Sequence, residues 1–197
     1  MTPITPLTAV ILAGGLARRM NHQDKGLVQF QGQPLISFAI AALSQLTPQL
    51  IINANRNHAV YQAFGYPVVA DLSAHFDGPL AGILAAMAVA NTEVLLVMPC
   101  DSPLFRSHHA EQLLLCREQH AADIAVAFDG TRIHPVFLAL KTSLQASLQA
   151  YLASGERKLD RWLAQHQLVL ADFSDEPDIF MNINTLSELA ELEARRG

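Results

Sequence analysis

The chain of 197 residues has little charge, little cysteine and no excess of basic residues. Charged residues make up 16%, and 13 Lys and Arg stand against 18 Asp and Glu, which gives a formal net charge of −5. That balance does not favour binding to nucleic acid or to an anionic membrane. The two cysteines, Cys100 and Cys116, are too few for a disulfide scaffold or a zinc cluster, and they fit a reducing cytoplasm.

Long hydrophobic runs are also missing. The most apolar stretch, residues 79–90, has about a dozen residues and is too short to span a bilayer. Residues 1–6 carry no positive charge ahead of an apolar run, so we expect no secretory signal and a cytoplasmic location. Hydrophobic residues nevertheless account for 51% of the chain, which excludes disorder as the default state and favours one domain with a single core.

Short apolar runs alternate with segments of helical spacing. Runs that predict strands lie at 7–13, 50–54, 66–70, 93–98 and 168–171. Segments that predict helices lie at 34–46, 57–64, 79–90, 107–119, 142–152, 158–165 and 185–196. Asp129-Gly130 is a hairpin turn signal between runs 123–128 and 133–140. We therefore expect an α/β fold of three layers, α/β/α, with a doubly wound, mostly parallel sheet and an antiparallel edge hairpin.

Glycines and cations follow the first predicted strand. Gly14-Gly15 lets backbone N–H groups approach an anion closely, and Arg18, Arg19 and Lys25 follow within the same loop. These features favour a polyphosphate site. The spacing matches neither the Walker loop nor the dinucleotide fingerprint, so a glycine-rich turn with a solvated basic face is an alternative of similar weight.

Polar residues follow the other predicted strands as well. Ligands of doubly wound sheets bind beyond the carboxyl ends of the strands, where we find Asn53, Asp71 and Asp101. Asn53 can pair with a base or sugar edge, or can serve turn geometry. Asp101 lies between Pro99 and Pro103 in a poor position for a helix cap, and its carboxylate suits Mg²⁺. Gly78 and Gly82, at the start of a buried helix, are expected to leave room for a flat ligand.

These residues carry a family resemblance over most of the chain. Residues Leu12-Ala13-Gly14-Gly15, Arg19-Met20 and Lys25 match a nucleotidyltransferase signature, which the segments 78–82 and 99–103 continue. Segments 132–135, 155–158 and 182–185 resemble the molybdenum cofactor guanylyltransferases, the MobA family. The resemblance implies a Rossmann-like nucleotidyltransferase that transfers GMP from GTP to the terminal phosphate of molybdopterin, with Mg²⁺ as cofactor and pyrophosphate as the second product.

The resemblance also implies site residues. It makes the chain a single domain, 1–197, in which about 7–106 bind GTP and about 107–197 bind molybdopterin. The residues expected to contact GTP are Leu12, Ala13, Gly14, Gly15, Lys25, Asn53, Asp71, Gly78, Gly82 and Asp101. Arg19, Lys25 and Asp101 are expected to be catalytic, with Mg²⁺ on Asp101. The residues expected at molybdopterin are Arg157, Lys158, Asn182 and Asn184.

Several alternatives stay open at this point. A nucleotidyltransferase that acts on a sugar phosphate would share the glycine-rich loop and Asp101, whereas a non-catalytic GTP-binding or cofactor-carrier module would need no metal carboxylate. His134 is as consistent with a structural role as with a substrate contact. We interpret His108 and His109 as solvated residues at a helix start, and Trp162 as packing. We expect a monomer, whose protein partners, if any, act in molybdenum insertion and molybdoenzyme maturation.

Overall fold

The computed structural model describes residues 6–14, 24–72, 78–183 and Glu188. Nine strands lie in this part of the chain, and they are β1 (Leu7–Leu12), β2 (Gln29–Phe30), β3 (Gln33–Pro34), β4 (Leu50–Asn53), β5 (Val68–Val69), β6 (Val94–Pro99), β7 (Ile124–Phe128), β8 (Ile133–Lys141) and β9 (Leu168–Asp172). The α-helices are α1 (Leu35–Leu43), α2 (His58–Gln62), α3 (Pro79–Val89), α4 (Ser107–Gln119), α5 (Gln145–Ala153) and α6 (Leu159–Leu163). Short 3₁₀ turns occur at Lys25–Leu27, Thr142–Leu144 and Pro177–Phe180. The helix predicted at 185–196 falls outside the described residues except for Glu188, which is helical.

Seven of these strands form one sheet in the order β5-β4-β1-β6-β8-β7-β9. Within the described sheet, β8 alone runs antiparallel to its neighbours, and β1 pairs in parallel with both β4 and β6. The predicted fold class, doubly wound and mostly parallel, is confirmed. Parallel strands place their carboxyl ends on one edge, so the residues that follow β1, β4, β5 and β6 lie along a common rim.

The predicted hairpin forms, but it does not lie at the edge. Gly130 adopts φ +89°, and the Asp129 carboxylate accepts the backbone N–H groups of Thr131 and Arg132 at 2.8 Å, which closes the β7–β8 turn. The outer side of β7 is paired in parallel with β9, from Ile124 opposite Leu168 onward. The expectation of an edge hairpin is therefore wrong in its placement, because β9 covers β7.

Apolar side chains fill both faces of the sheet. In β1, Leu7, Ala9 and Ile11 pack toward α1 and α4, whereas Val10 packs toward α3, α5 and α6. All residues of β6 are buried, as expected for a strand covered on both sides. Trp162 is fully buried among these helices and donates its indole N–H to Ser147, which confirms its packing role. The result is the predicted arrangement of three layers. No described helix has both the length and the apolar character needed to cross a membrane.

The small ribbon of β2 and β3 was missed in the sequence. Its turn places Gln31 at φ 50° and Gly32 at φ 74°, the pair of left-handed residues that a tight two-residue hairpin requires. Strands of two residues show no periodicity, so Gly32 was the one sequence feature that indicated the turn. This ribbon directly follows Lys25–Leu27 and leads into α1, and it thereby fixes the exit of the Lys25 loop.

Candidate active site

Lys25 and Asp101 meet at the centre of the rim. Lys25 Nζ lies 3.2 Å from Asp101 Oδ2, although 76 residues separate the two in sequence. The Asp101 side chain is 11% exposed and the Lys25 side chain 26%, so the ion pair is only partly screened by water. Asp101 follows β6 and Lys25 opens a 3₁₀ turn behind the loop that follows β1. The structure thus joins two of the predicted catalytic residues in one contact.

A buried carboxylate anchors the backbone beside Lys25. Asp24 accepts a hydrogen bond from the Tyr61 hydroxyl at 2.5 Å and one from Asn57 Nδ2 at 3.1 Å, and Arg56 Nε lies 3.3 Å away. Burial, followed by the charges of Cys100 and Asp24, raises the pKa of Tyr61 far above its usual value, so the phenol stays protonated and donates. Nothing in the sequence pattern indicated this network, because its partners come from α2 and from the two residues before it, more than thirty positions away.

A second polar cluster lies two strands from Asp101. The Asp71 carboxylate accepts Asn53 Nδ2 on Oδ1 at 2.9 Å and Asn55 Nδ2 on Oδ2 at 2.8 Å. Asn55 Oδ1 in turn accepts the Asp71 backbone N–H at 2.9 Å. Asn53 is buried, and its Nδ2 also approaches the carbonyl of Val69 at 3.3 Å. Asn53 therefore holds Asp71, and Asn55 is a site residue that the sequence reasoning passed over.

The two glycines of the site pack against this cluster. A Cβ on Gly14 would lie 3.0 Å from Asn55 Nδ2, and a Cβ on Gly82 would lie 2.3 Å from Asn53 Oδ1 and 2.9 Å from Leu12 Cδ2. The expectation that Gly82 leaves room for a ligand is wrong on that side, because Asn53 fills the space. Gly78 differs: it takes φ +70° at the start of α3, and no atom of the described residues lies within 4 Å of the position that a Cβ would take.

Comparison with known proteins identifies the family. The sequence model of the MobA-like NTP transferase domain matches residues 9–169. The molybdenum cofactor guanylyltransferase of Shewanella sediminis is 47% identical over 186 residues, which cover 94% of this chain and 95% of that protein. The enzyme of the same name from Shewanella loihica is 46% identical with the same coverage. The chain belongs to the MobA-like NTP transferase family. The predicted resemblance and the assignment as a nucleotidyltransferase are confirmed.

Solved structures agree with the family in fold. Molybdopterin-guanine dinucleotide biosynthesis protein A from Archaeoglobus fulgidus superposes with a TM-score of 0.80 at 22% identity, covering 97% of this chain and 98% of the other. A CMP:2-keto-3-deoxy-manno-octonic acid synthetase complexed with CTP gives 0.73 at 14% identity, with 98% of each chain covered. At such identities the likeness concerns the fold alone.

Two further predicted residues of this family member, Arg19 and Gly15, lie outside the described residues, as does Asn184. Leu12 and Ala13 lie at the end of β1, where Ala13 N–H donates to the Asn53 carbonyl at 2.8 Å. This hydrogen bond links the end of β1 directly to the end of β4. The described part of the predicted nucleotide site is therefore contiguous from Asp71 to Gly14.

The segment before Asn184 docks on the Asp101 loop. Ile183 N–H donates to the Asp101 carbonyl at 3.0 Å, and the Ser102 hydroxyl donates to Asn182 Oδ1 at 2.5 Å. Arg157 donates to the main-chain carbonyls of Leu152 and Glu156, and the Lys158 carbonyl accepts the Tyr151 hydroxyl. The structure thus joins Asn182 to Ser102, next to Asp101, whereas these contacts of Arg157 and Lys158 join the loop after α5 to the last turn of α5.

The two adjacent histidines of α4 have different environments. His108 is exposed, but His109 is buried, so the expectation that both are solvated is wrong for His109. His109 Nδ1 accepts the Arg106 backbone N–H at 2.9 Å, and its Nε2 lies 3.5 Å from Glu176. His108, His109 and Glu176 group their ligand atoms within 4.8 Å of one another. Because Nδ1 accepts, the neutral ring carries its proton on Nε2 and lacks a free lone pair for a metal, so His109 serves as a helix cap.

His134 stands in a polar and aromatic setting at the β7–β8 turn. Its Nε2 lies 2.7 Å from Asp129 Oδ2, and its ring stacks on Phe180 with centroids 4.0 Å apart. The Arg132 backbone N–H, and then His134, hold the pKa of Asp129 well below its usual range, so the carboxylate stays charged opposite the imidazole. Both the structural and the substrate interpretation of His134 remain consistent with this geometry.

Proposed function

We propose that this chain transfers GMP from GTP to the terminal phosphate of molybdopterin, forming molybdopterin guanine dinucleotide and releasing pyrophosphate. The observation that carries the proposal is the order of groups along the rim. The Asp71 carboxylate, Gly14 just after β1 and the Lys25–Asp101 pair follow one another at the ends of neighbouring strands. The relatives at 46–47% identity, which are named molybdenum cofactor guanylyltransferases, support the same reaction.

The Asp71 cluster suits guanine among the nucleobases. Within the described residues, Asn53 donates to Asp71 Oδ1 and Asn55 to Oδ2, and each carboxylate oxygen has a second lone pair that can accept a ligand N–H. Guanine presents two neighbouring N–H donors on its Watson–Crick edge, at N1 and at the 2-amino group. Adenine and cytosine place a donor beside an acceptor there, so a carboxylate that accepts on both oxygens selects guanine.

The centre of the rim suits the triphosphate. Lys25 supplies a cation that lies 3.2 Å from Asp101, and an ammonium group binds phosphate oxygens well. The buried Asp101 carboxylate offers oxygen ligands, which are the ligands that Mg²⁺ prefers alongside phosphate oxygens. When bound, the ion supplies charge neutralisation at the reacting phosphate. Arg19 and Gly15 are proposed to complete the phosphate contacts.

The chemistry needs no protein nucleophile. A phosphate oxygen of the acceptor attacks the α-phosphorus of GTP, a new P–O bond forms, and the bond to the β-phosphate breaks so that pyrophosphate leaves with its electron pair. Such a transfer depends on positioning and on neutralising charge at the departing oxygens. Lys25 holds the β- and γ-phosphates that leave, and Asp101 holds the α-phosphate in position through the metal ion.

We propose that the acceptor binds on the side of Asp101 that lies away from the Asp71 cluster. Asn182 touches Ser102 beside Asp101, which makes it the best supported of the molybdopterin residues. Arg157, Lys158 and Asn184 are proposed to join it, so that about 107–197 bind the acceptor and about 7–106 bind GTP. The two free cysteines are consistent with work in the cytoplasm.

A product assay tests the proposal. The protein is incubated with molybdopterin, Mg²⁺ and either GTP, CTP or ATP, and in parallel with sugar 1-phosphates as acceptors. We expect a dinucleotide whose mass is that of molybdopterin plus GMP less one water, formed with GTP alone. A nucleotide sugar as the main product would favour a sugar-phosphate enzyme, and tight GTP binding with no product would favour a carrier.

A further inference from the structure

Asn55 makes two reciprocal contacts with Asp71. Its amide nitrogen donates to Asp71 Oδ2 at 2.8 Å, and its amide oxygen accepts the Asp71 backbone N–H at 2.9 Å. The two residues are 16 positions apart and belong to the segments that follow β4 and β5. One side chain therefore fixes both the main chain and the carboxylate of Asp71.

Apart from Asn55, the side chain among the described residues that holds the Asp71 carboxylate is Asn53. Asn53 donates to Oδ1 at 2.9 Å from a buried position at the end of β4. One hydrogen bond still allows the carboxylate to rotate about its Cβ–Cγ bond. A second donor on Oδ2 fixes the plane of the carboxylate. Asp71 is only partly buried and follows a strand of two residues, so the sheet itself constrains it weakly.

Gly14 places Asn55 against the phosphate side of the same site. A Cβ at Gly14 would lie 3.0 Å from Asn55 Nδ2, so the backbone of the glycine loop rests on the Asn55 amide. The amide thus joins the proposed base site to the proposed phosphate loop. A change at Asn55 acts first on the orientation of Asp71, because that is where its hydrogen bonds go.

We propose that Asn55 is a positioning residue that sets the preference for guanine by holding the Asp71 carboxylate in the plane of the base. The inference rests on the proposed function and deepens it. A fixed carboxylate meets both N1–H and the 2-amino group of guanine, whereas hypoxanthine offers N1–H alone. The comparison of GTP with ITP therefore measures the second contact directly.

Asn55→Asp is the sharpest variant, because it keeps the size and the acceptor but replaces the donor by a second negative charge. We expect KM for GTP to rise about 10–100-fold, as for the loss of a charged hydrogen bond, with KM for molybdopterin unchanged. The preference for GTP over ITP, about tenfold or more in the parent, should fall toward one. Asn91→Asp makes the same change on the exposed loop before β6, at the opposite edge of the sheet, and should leave all values as in the parent.

GTP and ITP binding without acceptor, measured by calorimetry, and thermal unfolding accompany the kinetics. If Asn55→Asp does not fold, Asn55→Ser is measured in its place. Equal losses for GTP and ITP, or an unchanged ratio, would overturn the role of Asn55 while leaving guanylyl transfer intact. If the parent forms no guanine dinucleotide, the proposed function fails instead, and the two failures are thereby distinguished.

Discussion

Asp101 is the residue on which the proposed chemistry depends most. It is nearly buried, it follows a strand that is buried on both faces, and its charge is balanced by Lys25 at 3.2 Å. A buried carboxylate is costly to keep unless it has a partner or a task. Lys25 is that partner, and the proposed task of both groups is to hold the phosphates and Mg²⁺.

Asp101→Asn keeps the shape of the side chain and removes its charge. We expect kcat to fall by about 10²–10³, the usual loss for one electrostatic group at a reacting centre, while GTP binding persists in part. Steady-state turnover and GTP calorimetry measure the two effects. Glu118→Gln removes a carboxylate from the exposed end of α4 and should change neither. Parent-like turnover in Asp101→Asn would exclude Asp101 from the metal site.

Lys25→Met removes the cation and keeps most of the side chain. Because Lys25 is proposed to hold the leaving phosphates, we expect KM for GTP to rise about tenfold or more and kcat to fall as well. Lys141→Met breaks the ion pair of Lys141 with Asp123, 2.8 Å long, at the other edge of the sheet, and serves as the matched control. Equal kinetics in the two variants would mean that the loop does not touch phosphate.

At the residue scale, the sequence predicted which strand ends carry polar groups but not how they combine. Asn53, Asp71 and Asp101 were found because they follow apolar runs. Asn55 was not, because its meaning depends on β5 lying beside β4, a long-range pairing that no local pattern encodes. The same limit hid Tyr61, whose hydroxyl reaches Asp24 across 37 residues.

At the element scale, α4 shows both a strained end and a stabilised one. Its last turn closes with Ala122 N–H on the Arg117 carbonyl and Ala121 N–H on the Glu118 carbonyl, each at 3.0 Å. This pattern requires a left-handed residue after the helix, a position that glycine usually fills. Here Ala121 takes φ 49°, which costs an alanine about 1 kcal/mol.

Ala121→Gly should therefore stabilise the protein. We expect the free energy of unfolding to rise by about 0.5–1 kcal/mol, because the relief of strain exceeds the added chain entropy of glycine. Urea unfolding measures the change. Ala164→Gly, at the right-handed end of α6, should instead lower stability, because nothing there is strained. A loss of stability in Ala121→Gly would contradict this account of the helix end.

The start of α4 predicts a pH dependence through His109. Burial, with the charge of His108, lowers the pKa of His109 below 6.5. As the pH falls through this range, His109 therefore binds a proton in the unfolded chain before it does so in the folded protein. Stability should therefore fall as the pH falls below about 6.5, with His166, whose pKa burial also lowers, adding to the slope.

His109→Gln keeps an acceptor for the Arg106 N–H and removes the titration. We expect unfolding free energies measured from pH 7 to pH 5 to decline less steeply than in the parent. The range from pH 7 to pH 8 is the internal control, since both imidazoles are mostly neutral there in either state and the slope is correspondingly small. Identical slopes below pH 6.5 would show that His109 does not contribute.

The elements themselves were largely predictable. The Asp129-Gly130 turn fixed the β7–β8 hairpin, and proline at the start of α3 fixed that helix. The place of the hairpin was not predictable, because β9 reaches β7 only after α5 and α6 have crossed the sheet. Local sequence decides which elements form, whereas their neighbours are decided by packing over the whole chain.

At the scale of the whole molecule, the sheet order turns separate weak signals into one site. The strands β5, β4, β1 and β6 are consecutive neighbours, and they carry Asp71, Asn53, Gly14 and Asp101 in that order at their carboxyl ends. The segment of Asn182 and Ile183 docks on Asp101 and Ser102 at the end of this series. We therefore expect a nucleotide laid along this rim to have its base at the Asp71 end and the acceptor at the Asp101 end.

The position of the nucleotide tests this claim most directly. A crystal structure of the protein with GTP and Mg²⁺ should place the guanine edge on Asp71, the phosphates over Gly14 and Lys25, and the ion on Asp101. A nucleotide bound elsewhere, or one whose base lies away from Asp71, would contradict the account.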